Sequence, residues 1–292
     1  MIDRPLACLF FGLLATSLSL VPLVASEPAR HLTSTGTEKR DLRFFDDDTL
    51  VYCEQVGPRQ LALVKLTLST GASERLHPDA TTNEFEPAFS PDRDYEAFVQ
   101  NLGNLNLRLA IRRRDTGETA EFREGGFSGA RGPTFTPDGR RVLYAYPEEG
   151  RQPIWSCDLQ CQNRNRLIDS SGINNWPSVT PDGTTLIFGS TRDGNFEIYS
   201  ADLSGETVVR LTDHPRQDIR PRLSSDGRQI AFTSSRDGNY EIFVMNLDGS
   251  RLRRITQHAE RDDYPAWHPD GRLAWVAERD GRFDIHLISI TP

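Results

Sequence analysis

Apolar positions in this chain fall in short bursts separated by turn dipeptides, and nowhere does a helical period with caps persist long enough to predict a helix. From Pro177 the bursts are easily followed. "PSV" leads into a Pro-Asp-Gly turn, "TTLIFGS" is an apolar, β-rich run and "RDGN" is an Asp-Gly turn; "FEIYSADL" then alternates, "SGE" turns again and "TVVRLT" closes the stretch. Asp-Gly suits such corners because glycine takes a positive φ at no steric cost, while aspartate bonds its own backbone. The pattern predicts four short antiparallel strands.

The same stretch recurs along the chain. "STRDGNFEIYSADLSGE" at 190–206 returns as "SSRDGNYEIFVMNLDGS" at 234–250. Aligned units begin "PAFSPDRDYEAF" at Pro87, "PTFTPDGRRVLY" at Pro133, "PSVTPDGTTLIF" at Pro177, "PRLSSDGRQIAF" at Pro221 and "PAWHPDGRLAW" at Pro265, at intervals of 46, 44, 44 and 44. A further step back of 46 reaches "DLRFFDDDTLVY" at Asp41, with Asp46 in the column of Asp92, Asp138, Asp182, Asp226 and Asp270. Six units of four strands predict an all-β fold, a six-bladed β-propeller of four-stranded antiparallel blades. The last unit stops at "FDIHLISITP" without an outer strand, whereas "ARHLT" at 29–33 precedes the first unit as "RLT" and "RIT" precede theirs. Residues near 29 to 35 are therefore expected to complete the last blade and leave no open edge.

Residues 1–26 stand apart: Arg4, an apolar run from Leu6 to Leu23, then "LVAS". This reads as an export signal cleaved near Ser26, leaving 27–292 as the propeller and placing it in the periplasm or outside the cell. An uncleaved inner-membrane anchor is the alternative, since about 18 apolar residues can just span a bilayer. Cleavage removes Asp3 and Arg4 together, so the formal net charge stays at -8. Nucleic acid is excluded as a partner by that balance, because phosphate neutralisation needs a basic surface. A monomer with no cofactor is expected, its contact with the membrane limited to the signal. Cys8 leaves with the signal, and Cys53 reads as a small buried hydrophobe. Cys157 and Cys161 in "WSCDLQCQN" are a disulfide candidate across a turn, provided that their Cβ atoms face each other.

The column P-x-[FW]-[ST]-P-D-G, followed by S-x-R-D-G-N-x-E-I-[YF] and R-[LI]-T, resembles the TolB-type propeller repeat, closely in blades four to six and less so in one and two. That repeat occurs in the periplasmic TolB protein of the Tol-Pal envelope system and in the propellers of prolyl-oligopeptidase-like enzymes. TolB carries an α/β domain ahead of its propeller and the peptidases carry a hydrolase domain, whereas here the six units take up nearly the whole mature chain. The resemblance therefore implies a free-standing, exported, non-enzymatic propeller that binds a protein or peptide partner in a bacterial envelope.

Catalytic candidates are few. "GFSGA" around Ser128 lacks the second glycine and the helix of a nucleophile elbow. His214 in "LTDH" and His258 in "ITQH" occupy equivalent places, with His77 in "ERLHPDA" close to that column; they support a metal-assisted lyase or hydrolase acting on a saccharide in the channel, or else are polar loop residues copied with the repeat. A small-ligand sensor is a third reading. The column three residues before each proline reads Glu38, Glu84, Ala130, Asn174, Asp218 and Asp262, with Asp263 and Glu86 beside it. It is expected at the mouth of the central channel, as an acidic ring that would draw a basic peptide or a cation such as calcium. Turn capping is the competing reading. Trp176, just before Pro177, is the tryptophan placed to touch a partner.

Overall fold

The structure, a computed structural model, describes residues 28–101, 107–122 and 129–290. Ser128 and the export segment lie outside them. The described residues form 24 strands in six four-stranded antiparallel sheets and no helix. Five sheets are built from four consecutive strands. The fourth, for example, contains Asn174–Val179, Thr185–Ser190, Glu197–Asp202 and Val208–Arg210, which are the four runs of the repeat. The sixth sheet is closed by Arg30–His31, which pairs with Arg282–Ile288 through Arg30 opposite Leu287 and His31 opposite His286.

Local chemistry explains the corners. In the Pro-Asp-Gly turn of blade four, Asp182 Oδ1 accepts bonds from Thr180 Oγ1 at 2.6 Å and from the Thr184 amide at 3.0 Å, while Gly183 takes φ +73°. Asp138 and Asp226 do the same for their own turns. Side chains then alternate across each sheet, and each face packs on the next blade. Six apolar clusters result, one at each blade junction; that between blades four and five joins Ile187, Ile198, Ile230, Phe232, Phe243 and Met245. Each such side chain contributes roughly 1.5–3 kcal/mol by leaving water, which makes the ring a stiff frame for whatever lines its axis.

Two features of the innermost strands position the site. Every one of the six has a register shift against its neighbour, a β-bulge. At each bulge one residue takes the left-handed conformation: Asp41, Glu86, Gly132, Trp176, Arg220 and Tyr264, with φ between 54° and 58°. For five non-glycine residues this costs on the order of 1 kcal/mol each.

The second feature corrects the alignment of the first repeat. Its inner turn is one residue short, since the bond from Phe45 N to Thr49 O spans four residues where that from Ser90 N to Tyr95 O spans five. Asp46 keeps its place in the turn column, accepting from Asp48 N as Asp92 accepts from Asp94 N. The strand before it moves by one, so Asp41 matches Glu86. Lys39, not Glu38, is then the counterpart of Glu84 and Asp218. Glu38 is exposed, and its carbonyl accepts from Gln55 N as the carbonyls of Ile173 and Gln217 accept from Thr191 and Ser235.

Candidate functional site

The column expected to ring the channel mouth is sealed inside the blades. Lys39, Glu84, Ala130, Asn174, Asp218 and Asp262 are all at most 4% exposed. Each polar member is bonded to protein: Glu84 to His77 Nδ1 at 2.9 Å, Asn174 to Ser190 Oγ at 2.8 Å, Asp218 to Arg236 Nη2 at 2.7 Å and Asp262 to Arg279 Nη2 at 2.9 Å. Burial pushes the Asp262 carboxyl up despite Arg279. Lys39 reaches across the ring seam to Phe283 O at 3.1 Å and Asp284 at 3.7 Å, and pairs with Glu54 at 3.2 Å. These residues brace strands.

The mouth is formed instead by the bulge residues, two places further along each strand. In a regular strand residues i and i+2 face the same way, and the extra bulge residue breaks that rule by turning its side chain toward the axis. A cavity of about 270 Å³ opens there, walled by Trp176, Tyr264 and Phe85 with Arg40, Arg131 and Arg220; Asp41, Glu86, Gln152, Ile173 and Asn175 complete the wall. Arg220 stands 4.3 Å from the Tyr264 ring and 5.5 Å from that of Trp176, donates to the Tyr264 hydroxyl at 3.3 Å and pairs with buried Asp263 at 3.3 Å. Burial works against its charge, but Asp263, Tyr264 and Asp41 outweigh burial and raise its pKa. Arg131 lies 5.5 Å over Phe85 and 3.6 Å from Glu86, whose other oxygen accepts from Gly132 N at 2.7 Å. Desolvation and the neighbouring Asp41 push the Glu86 carboxyl up.

Arg43 and Arg222 stand beyond the bulge, one residue past the proline column. Burial lowers the Arg43 pKa to about 10; burial and the Arg43 charge depress that of Arg222. In the wall of the cavity itself Arg40, Arg131 and Arg220 stand with Asp41 and Glu86. Three cations against two carboxylates reverse the sign expected for the mouth, although the chain as a whole carries -8.

The TolB beta propeller domain family matches residues 47–232. The chain belongs to that family. The Tricorn protease N-terminal beta propeller domain also matches, over residues 197–290. The Tol-Pal system protein TolB of Gluconobacter oxydans is 30% identical over 129 residues, 43% of this chain and 28% of that protein. The match thus spans less than a third of that relative. Among solved structures, a putative TolB from Agrobacterium tumefaciens superposes with a TM-score of 0.70 at 19% identity, covering 90% of this chain and 94% of that one. An oligogalacturonate lyase in complex with manganese gives 0.63 at 15%, covering 94% and 98%. Both likenesses describe the fold. No helix among the described residues of this TolB-family propeller is long and apolar enough to cross a membrane.

The histidines are used locally. His214 Nδ1 accepts from Arg216 N at 3.1 Å and His258 Nδ1 from Glu260 N at 3.0 Å, each closing its own turn. His77 does not share their column. Leu76, Leu211 and Ile255 make the same bond back to Leu63, Ile198 and Ile242, so His77 stands where Thr212 and Thr256 do. It lies 2.9 Å from Glu84 and 2.8 Å from Glu96. Burial opposes its charge, but the two carboxylates win and raise its pKa to about 9. Among the described residues no group of three or more His, Cys, Asp and Glu side chains is gathered to hold a metal ion. Cys53, Cys157 and Cys161 are buried free thiols. The disulfide candidate is thus a pair of thiols in contact, and the hydrogen bond from Cys161, with burial, raises the Cys157 pKa.

Proposed function

We propose that this chain is an exported, non-enzymatic scaffold of the bacterial envelope, which binds a segment of a partner protein at the channel mouth. The observation that carries this reading is the group of Trp176, Arg220 and Tyr264, held on strained left-handed bulges around an open cavity. Bulky residues in this conformation persist where a rigid frame holds them, and such strain gathers at binding sites. Tryptophan, tyrosine and arginine are also the residues that dominate interface energies. The Tol-Pal designation of the Gluconobacter relative supports an envelope role. The excess of arginine makes the partner segment acidic, where the sequence alone had suggested a basic one.

The test is capture of envelope proteins on the immobilised chain beside the double variant Trp176→Ala/Arg131→Ala, followed by titration of the captured protein against both. A partner bound by the native chain and weakened at least ten-fold by the variant is expected. Equal binding by the two chains, or no partner at all, would overturn the scaffold reading.

A further inference from the structure

A larger cavity, of about 820 Å³, lies off the axis, between the hairpin tip of blade one at 57–60 and the loop at 78–82 that leads into blade two. Other blades close this gap with hydrogen bonds. In blade four Asn195 Nδ2 donates to the carbonyls of His214 and Arg216, both at 2.9 Å, and in blade five Asn239 Nδ2 donates to those of His258 at 2.9 Å and Glu260 at 2.8 Å. Blade three uses Gln152 N to Gly172 O at 2.9 Å, and blade six Arg282 Nη2 to Ser34 O at 3.0 Å. Blade one has "VGPRQ" where blades four and five have "RDGN", so the stitching asparagine is missing. Its loop is also longer by one residue, since seven positions lead from His77 to Glu84 and six from Thr212 to Asp218. Among the described residues the hairpin tip and the loop are bonded only at their base, where Asn83 Oδ1 accepts from Leu61 N at 2.9 Å. The groove is the gap left by the missing stitch.

Its walls are short of partners. Among the described residues Arg59 makes no side-chain hydrogen bond, Arg75 gives Nη2 to the Ala80 carbonyl at 2.7 Å and leaves Nε without a partner, and neither guanidinium meets a carboxylate within 4 Å. Asp79, which is exposed, is the one acid of the wall. Gln60, Thr81 and Thr82 add amide and hydroxyl groups. The Arg75 bond, with Ala80 N donating to His77 O at 3.2 Å, holds the loop, so little ordering remains to be lost when a ligand enters. Two cations against one carboxylate, with neutral donors and acceptors between them, suit a chain that carries both carboxylates and peptide groups. Asn83 ties the groove to the mouth: it opens the strand Asn83–Phe89, whose Phe85 and Glu86 wall the axial cavity, and two residues of strand span about 7 Å.

We propose that the groove over blade one is a second interaction surface for the partner, taking its acidic segment where that segment leaves the mouth. This rests on the reading of the mouth as protein-binding. The segment runs outward in extended form, and Arg59 and Arg75 receive carboxylates of alternate residues, which face one way along an extended chain.

The test is calorimetric titration of the purified protein, at low ionic strength, with the peptide Gly-Glu-Gly-Glu-Gly-Glu beside Gly-Gln-Gly-Gln-Gly-Gln, both amidated at the C-terminus. The native chain is expected to bind the acidic peptide about ten-fold more tightly than the neutral one, and Arg59→Gln/Arg75→Gln to lose that preference. Arg59→Gln alone removes no internal bond, so it should weaken the acidic peptide about three-fold while the melting temperature stays unchanged. Gly57→Trp blocks the groove without altering its charge; a Cβ at Gly57 would stand 3.7 Å from that of Gln60, an ordinary contact, so the hairpin accepts the ring. Equal binding of the two peptides by the native chain, or an acidic preference that survives in the double variant or in Gly57→Trp, would overturn the groove. So would a lower melting temperature for Arg59→Gln, which would make that arginine a structural one. If Trp176→Ala/Arg131→Ala binds the acidic peptide as the native chain does while the groove variants fail, the groove stands and the reading of the mouth falls. If that variant fails and the groove variants bind normally, the reverse holds.

Discussion

Asp218 and Arg220 stand two residues apart on one strand, yet the first is sealed between blades against Arg236 and the second lies in the channel against Tyr264 and Trp176. The left-handed turn at Arg220 itself divides the two environments. The comparison teaches that charge in a repeat column says nothing of exposure until the path of the backbone is known: the acidic column is bracing, and the mixed column beside it lines the cavity.

That contrast can be broken most forcefully at Asp218. Replacing it with alanine leaves Arg236 without its partner, and the loss should be about 3 kcal/mol in urea unfolding. A loss below about 1 kcal/mol would mean that the column does not brace the blades. Next comes His77, which carries its charge between Glu84 and Glu96. Its folded pKa of about 9 lies above the ordinary imidazole value of 6.5, so its contribution is fully present below pH 6.5 and disappears as pH rises through 9. The expected fall is on the order of 3 kcal/mol between those limits, read from melting curves. His77→Thr, the residue that the repeat supplies at 212 and 256, should flatten that profile; an unchanged profile would assign the titration elsewhere.

Smaller effects sharpen the comparison. Gly132 is the sole glycine among the six bulge residues, at φ +56°, with Asn175 and the Trp176 backbone 3.3 Å from where a Cβ would stand. Gly132→Ala should cost about 1 kcal/mol in the same unfolding assay. Glu38→Ala should change stability by less than about 0.5 kcal/mol, because Glu38 is exposed and outside the braced column. A larger loss there would restore Glu38 to that column and undo the one-residue correction.

Much of the fold was legible because its signals are local. The Asp-Gly turns gave the blade count, and the missing outer strand after Ile288 pointed to Arg30–His31 at the other end. The register of the first blade was not legible, since "RFFDDDT" has neither the proline nor the glycine that anchors the other turns and offers three aspartates in a row. The bulges were hidden for a different reason. A residue before proline is ordinarily extended, so nothing in "EP", "WP", "RP" or "YP" announces a left-handed turn toward the axis.

That closure sets an order of events. Thr33 and Asp284 touch although they stand 251 positions apart in the chain, and Lys39 is pinned to Phe283 and Asp284 at the same seam. Contacts so distant along the chain are the slowest to form. The channel, with its aromatic wall, is therefore a late product of folding: five blades can fold and stack in sequence, but the vessel holds its shape only once the first strand and the last have clasped.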